Sequence, residues 1–400
     1  MDEKLITKIV AEEVKDSRGN PTIKVTVSCG NESGSFSVPS GASTGAHEAH
    51  VVENDKAIFN VNGIIAQALI GKDILNQKEI DRIMIQLDGT VNKDNLGGNS
   101  MIGVSIACAK AAAKVSGIET YEHLRTLAEI KPSKRVPFLY MNLINGGKHA
   151  DNDLAFQEYH VVPDTEDATE AVVMGKKIDK TLGEIIKREL GEGNLNMGDE
   201  GGFAPKISDI KKPLFCLSEA IKQNDLKGKV RLALDVASSS FFSNGIYKVD
   251  GKEISKEELL DIYNSLIKEF NLLSIEDPFD EEDFESFAKL KNNQNNFLVV
   301  GDDLTVTNKN LLKEAIEKKS INAMIIKPNQ IGTLTETLET MQLARENDVE
   351  LIVSHRSGET DDNFIADLAF AFGCFGLKAG APTKPERMVK YERLIKISNY

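Results

Sequence analysis

Nothing in this 400-residue chain is apolar for long enough to cross a membrane, which sets the first limit on what it does. Its start, MDEKLITK, also lacks the apolar core of a secretory signal, so a cytoplasmic protein is expected. Cysteine is scarce. Cys29, Cys108, Cys216 and Cys374 stand far apart, at neither metal-ligand nor redox spacing, so free thiols in reducing surroundings are expected. Basic charge is in deficit: 48 Lys and Arg face 62 Asp and Glu, giving a net charge of −14 and a pI near 5.1. That argues against nucleic acid and anionic membrane as partners. It leaves room for a small anionic substrate, because bound cations can invert a local field. There is no low-complexity segment and no repeat of fixed period. A composition 41% hydrophobic and 28% charged then describes a globular chain, long enough for two domains with sizeable cores.

Six short apolar runs in the second half each end in an ionisable residue. They are RLALD to Asp235, LLSIE to Glu276, FLVVGD to Asp302, AMIIK to Lys327, LIVSH to His355 and FGLK to Lys378. Successive gaps of 41, 26, 25, 28 and 23 residues each suit one strand, one helix and two loops. If the strands lie parallel, all six groups point into one cavity. Before them, FLYMNLI and AFQEYHVV read as two strands joined by a glycine-bearing loop, followed by helical stretches at 168–190 and 207–224. The strands total eight, and the opening unit is ββαα, so the spacing predicts a closed barrel.

The first third has another texture. Segments 6–14 and 22–29 are strand-like, DSRGNP at 16–21 has turn chemistry, and a third strand is expected at 35–38. Helices are expected at 78–87 and 100–115, the latter capped by Asn99 or Ser100. This is an α+β domain, expected at 1–130, with KPSKRVP leading into a barrel domain at 131–400.

Asp235, Glu276 and Asp302 on consecutive parallel strands would offer three oxygens to a hard cation such as Mg²⁺. Lys327 comes next. Burial near that cation and Lys378 would lower its pKa and suit it to removing a weakly acidic proton beside a carboxylate. The loops add candidates. SGASTG at 40–45 reads either as a surface loop or as a lid over an anion or metal; NGGKHADN carries His149; Gln157 and Glu158 open the second strand. MGDEGGFAP sets Asp199 and Glu200 beside two glycines, either an exposed acidic turn or a buried general acid of raised pKa.

Long stretches of the chain resemble the enolase family: DSRGNPT, VPSGASTGAHEA, MNLINGGKHADN, GDEGGFAP, LDVASS, SIEDPFDEED, GDDLTVTN, IKPNQIGTLTET, SHRSGET and KAGAP, in this order. The resemblance implies a ββαα(βα)₆ barrel behind an α+β domain. It also implies reversible dehydration of 2-phosphoglycerate to phosphoenolpyruvate through a metal-stabilised enolate, in glycolysis and gluconeogenesis. By the same resemblance Asp235, Glu276 and Asp302 hold a first Mg²⁺ and Ser43 a second. Lys327 is the base, Glu200 the acid with Glu158 beside it, and Lys378 the second lysine. His149, Gln157, His355, Arg356 and Ser357 line the substrate pocket, and Arg356 suits phosphate through its planar fork. A homo-oligomer, a dimer or a dimer-based octamer, is implied too. The chain departs from the family pattern at Ser240, at Ala379 and in TKPER at 383–387, none of them an inferred ligand or base. Two other readings remain at this point: a related barrel enzyme acting on another carboxylate, and a former enzyme serving as a scaffold.

Overall fold

The structure, a computed structural model, describes residues 4–41, 47–131, 135–294 and 296–399. Its first strands, β1 (Ile6–Lys15), β2 (Pro21–Cys29) and β3 (Glu32–Ser37), form an antiparallel meander. Alternation decides which face is covered: Ile23, Val25, Val27 and Cys29 of β2 are buried, while Lys24, Thr26 and Ser28 between them are partly open. The covering element is the helix Gly98–Val115, buried along almost its whole length. Gly34 lets it come close, since a Cβ there would stand 2.3 Å from the backbone of Ala107 and of Ala111. Among the described residues no single helix is long and apolar enough to cross a membrane.

The barrel opens with β4 (Phe138–Asn145), β5 (Glu158–Pro163) and β6 (Val230–Asp235). A small outlying meander follows, β7 (Phe242–Ser243), β8 (Ile246–Val249) and β9 (Lys252–Ile254), which sequence reading leaves out. Then come β10 (Ser274–Glu276), β11 (Leu298–Gly301), β12 (Ala323–Ile326), β13 (Glu350–Ser354) and β14 (Gly376–Lys378), separated by helices. The eight barrel strands close in the order β10-β11-β12-β13-β14-β4-β5-β6. Only β5 runs against its neighbours. The expected ββαα opening is therefore present, and it has a consequence. Because β5 is inverted, its first residue, Glu158, pairs with the last residue of β6, Asp235, and so reaches the rim where the other strands end. Glu276 pairs with Asp235 on the other side. Lys378 pairs with Ser354.

Side chains two positions back along each strand point the same way. Below the charged rim, Tyr140, Val162, Ala233, Val300, Ala323, Ile325 and Ile352 make an apolar cluster of their own, apart from the core between strands and outer helices. The first three-stranded unit reaches over the rim through main-chain bonds. Ser40 and Gly358 exchange two at 2.8 Å, Ser17 N donates to Glu359 O at 2.7 Å, and Ala49 N to Gln330 O at 2.7 Å.

Candidate active site at the barrel mouth

Every candidate site residue named from the sequence lines one cavity at this rim, apart from Asp199, Glu276 and Ser43. Glu276 is buried and touches the cavity's Lys378. Ser43 lies outside the described residues. The cavity wall also includes Gly41 and Glu48, contributed by the first domain.

Charge pairing organises the mouth into two arcs. On one, the Lys378 ammonium donates to Asp235 Oδ2 at 2.8 Å and to Glu276 at 2.8 and 3.0 Å, and lies 3.4 Å from Glu158. Lys327 donates to Asp302, which also accepts from Gln330 at 3.0 Å. The Gln157 amide approaches Asp235 at 3.5 Å. On the other arc, His149 Nδ1 stands 3.3 Å from Glu158 and 3.6 Å from Glu200. Glu200 accepts from Asn142 at 3.0 Å and lies 3.2 Å from His355 Nε2. His160, one layer down, contacts Glu158 at 2.9 Å. The Met197–Phe203 bridge and the Phe203–Ile144 bridge fasten the Glu200 loop to β4.

These contacts decide protonation. Burial and neighbouring carboxylates push Asp235 up and Glu276 well up, against the pull of Lys378. Burial opposes the charge on Lys378, yet Asp235, Glu158 and Glu276 hold its pKa well above the ordinary value. One expectation is qualified and one corrected. Lys327 is expected to have a lowered pKa beside a cation; among the protein's own groups burial, Arg356 and Lys378 act that way, but the Asp302 contact outweighs them and the pKa is raised. Glu200 is expected to have a raised one; burial and Glu158 push upward, but the imidazoles of His355 and His149 win and it is lowered. Burial lowers the His149 pKa, but Glu200 and Glu158 outweigh it and the pKa is raised.

The donor set suits a hard cation. Asp235 and Glu276 are buried carboxylates with raised pKa, Asp235 pushing Glu276 up, and the Lys378 ammonium bridges them. Asp302 joins a second acidic group: ligand atoms of Asp277, Asp302 and Asp303 lie within 4.8 Å of one another. His149, Glu158 and Glu200 form another such group, whereas Asp235, Glu276 and Asp302 do not come that close together in this ammonium-bridged arrangement.

Sequence reading passed over several neighbours. Glu48 grips the Arg356 guanidinium by two contacts at 3.1 Å, and Asn329 accepts from it at 3.1 Å. Arg387, fully buried, reaches His355. Asn142 and Asp303 had a usable signal: Asn142 shares the inward parity of Tyr140, and Asp303 follows the metal candidate directly in GDD.

The N-terminal part, residues 6–124, matches the family model described as the enolase N-terminal domain, and residues 133–400 match the enolase C-terminal TIM barrel domain. Among curated proteins the chain is 46% identical to the enolase of Methanocaldococcus jannaschii, over 99% of this chain and 96% of that protein. It is 44% identical to the enolase of Methanopyrus kandleri, over 98% and 95%, and 42% identical to that of Methanosarcina barkeri, over 98% and 94%.

Proposed function

The chain belongs to the enolase family, and we propose that its barrel mouth runs the family's reaction with Lys327 as base and Glu200 as acid. The activity is that of a Mg²⁺-dependent phosphopyruvate hydratase of glycolysis and gluconeogenesis, the reversible dehydration of 2-phosphoglycerate to phosphoenolpyruvate. The observation supporting these roles is the convergence of buried, opposed charges on one rim: two lysines against three strand-end carboxylates, and a histidine-held carboxylate beside them.

Lys327 must first lose its proton. Arg356 and Lys378 already oppose its charge, so release from Asp302 favours the neutral amine. That amine takes the C2 proton, and the electron pair expels the C3 hydroxyl, which leaves as water with a proton from Glu200. One C–H and one C–O bond break, a C=C bond and the O–H bond of the departing water form, Lys327 gains the C2 proton and Glu200 gives up its own. Glu200 draws that proton from its group with His149 and Glu158, where the imidazole is biased toward protonation. Lys378 meets the substrate carboxylate, and Arg356, Ser357 and His149 face the phosphate, with Gln157 and His355 in the wall. Asp235, Glu276 and Asp302 would hold the first of two Mg²⁺ ions and Ser43 would serve the second. When bound, Mg²⁺ supplies positive charge where negative charge builds on the substrate carboxylate. The enzyme is placed in the cytoplasm as a homo-oligomer, a dimer or dimer-based octamer. Its units are an α+β domain at 1–130 and a catalytic barrel at 131–400.

Purified protein given 2-phosphoglycerate and Mg²⁺ should develop the ultraviolet absorbance of the enol phosphate. A chelator should abolish it, and Lys327→Ala should lower kcat by about 100-fold to 10,000-fold, the range for a lost general base. Absence of turnover in the intact protein overturns the proposal, as does an active Lys327→Ala.

A further inference from the structure

The C-terminal helix Pro385–Ser398 is remote in sequence from every strand-end acid, yet it sends one buried guanidinium under the mouth. Arg387 Nη1 lies 2.5 Å from His355 Nδ1 and donates to Arg356 O at 2.7 Å; Nη2 donates to Ser357 O at 2.7 Å and to Asp199 O at 3.2 Å. One side chain therefore ties the loop carrying Glu200 to the loop carrying His355, Arg356 and Ser357.

A guanidinium has donors and no acceptor. His355 Nδ1 must then be the acceptor, and the proton of the neutral ring must sit on Nε2. An imidazolium would set an N–H and a positive charge against a second cation at 2.5 Å. We propose that Arg387 is a positioning residue that fixes His355 as the neutral Nε2–H tautomer, so that this N–H faces Glu200 across the cavity wall.

Three further observations agree. Nε2 stands 3.2 Å from Glu200 Oε2, and this buried atom makes no hydrogen bond to any described residue, which leaves its N–H for the acid or a bound group. Burial opposes protonation of His355, as does Arg387, while Glu200, Glu158 and Glu359 favour it; the net shift is downward. The corner has no spare room for the ring to turn over. At Gly380, with φ of +83°, a Cβ would lie 2.9 Å from Glu200 O, 3.0 Å from Arg387 Cδ and 3.1 Å from His355 Cε1.

The proposal rests on the reading of Glu200 as the acid, which Glu200→Gln tests separately through loss of turnover. ¹⁵N spectra of the Mg²⁺-loaded, histidine-labelled enzyme, with His355 assigned by its loss in His355→Gln, should show a protonated Nε2 and a bare Nδ1 at neutral pH. This readout needs no Arg387 variant and does not depend on what Glu200 does. Arg387→Met should free the ring, add an acid-side ionisation to the pH profile of kcat, and lower kcat by about 10-fold to 100-fold, as for a misplaced catalytic group. Arg387→Lys, again a donor-only cation, should keep the Nε2–H signature. A proton on Nδ1 in the wild-type enzyme overturns the proposal. So does an Arg387→Met protein whose His355 signals and pH profile match the wild type.

Discussion

The same strands build two opposite environments a few ångströms apart. At the rim stand Asp235, Lys327, Ser354 and Lys378; two residues back along the same strands stand Ala233, Ile325, Ile352 and Gly376. The lower layer is apolar and self-contained. The upper layer is a set of buried charges that hold one another in place, each costly alone. The difference teaches that position along a strand, more than composition, separates what stabilises this barrel from what makes it reactive. The inner cluster should resist changes of ion and pH, and the rim should respond to both.

The largest effect is expected where the rim's balance rests on one side chain. Lys378 contacts Asp235 and Glu276 and lies near Glu158, all buried. Lys378→Met should destabilise the chelated enzyme by about 3–5 kcal/mol, the cost of leaving buried charges unpaired. Saturating Mg²⁺ should recover part of that loss by binding the freed carboxylates in the folded state. Urea unfolding with and without Mg²⁺ measures both. A variant as stable as the wild type in chelator would show that the rim carboxylates do not depend on this ammonium.

A single acid outside the rim separates mere burial from organised charge. Asp179, in the helix Ala168–Leu190, is buried, its Oδ1 has no hydrogen-bond partner, and burial pushes its pKa from 3.8 to about 6. A carboxyl raised in the folded state adds stability below its unfolded value, and that contribution is lost as pH rises through about 6. Asp179→Asn should therefore match the wild type near pH 4 and exceed it near pH 8. The gain is at most about 3 kcal/mol, from the linkage of one pKa unit to about 1.4 kcal/mol. Paired unfolding curves at the two pH values test this, and a gain independent of pH would contradict it. Unlike the rim acids, Asp179 should not respond to Mg²⁺.

Much of this contrast was legible in the sequence, because it follows from period-two alternation and from where apolar runs stop. Asp235, Glu276, Asp302, Lys327 and Lys378 are each the residue at or just beyond a strand's end, and the inverted β5 is visible in the short glycine loop before Gln157 and Glu158. The β7–β9 meander also had a signal that went unread. Asn244-Gly245 and Asp250-Gly251 all take positive φ, the two-residue turns that join such strands. Other features had no local signal. Glu48 and Arg356 meet across 308 residues, and Arg387 meets His355 only because the last helix folds back beneath the mouth. The direction of the Glu200 shift was misjudged for a related reason. A pKa depends on which opposite charge lies nearest, and His355 and His149 are placed beside Glu200 by the fold, as Asp302 is beside Lys327.

The smallest effect belongs to the inner layer, and its value lies in what should not change. Ile352 is almost fully buried in the cluster beneath Ser354. Ile352→Val removes one methylene from a packed site, which should cost about 0.5–1.5 kcal/mol through lost transfer energy and the small void left behind. No charged group enters that difference, so it should be equal in chelator and in Mg²⁺, and equal near pH 5 and pH 8. The Ser354 hydroxyl's bond to His355 O and the β12–β13 pairing do not depend on the lost methylene, so kcat of the folded protein should stay close to wild type. Unfolding at the four combinations of ion and pH, alongside kcat, is the measurement. A stability loss that grew when Mg²⁺ was removed would mean that the two layers are energetically coupled, and that the rim borrows its rigidity from the cluster below it.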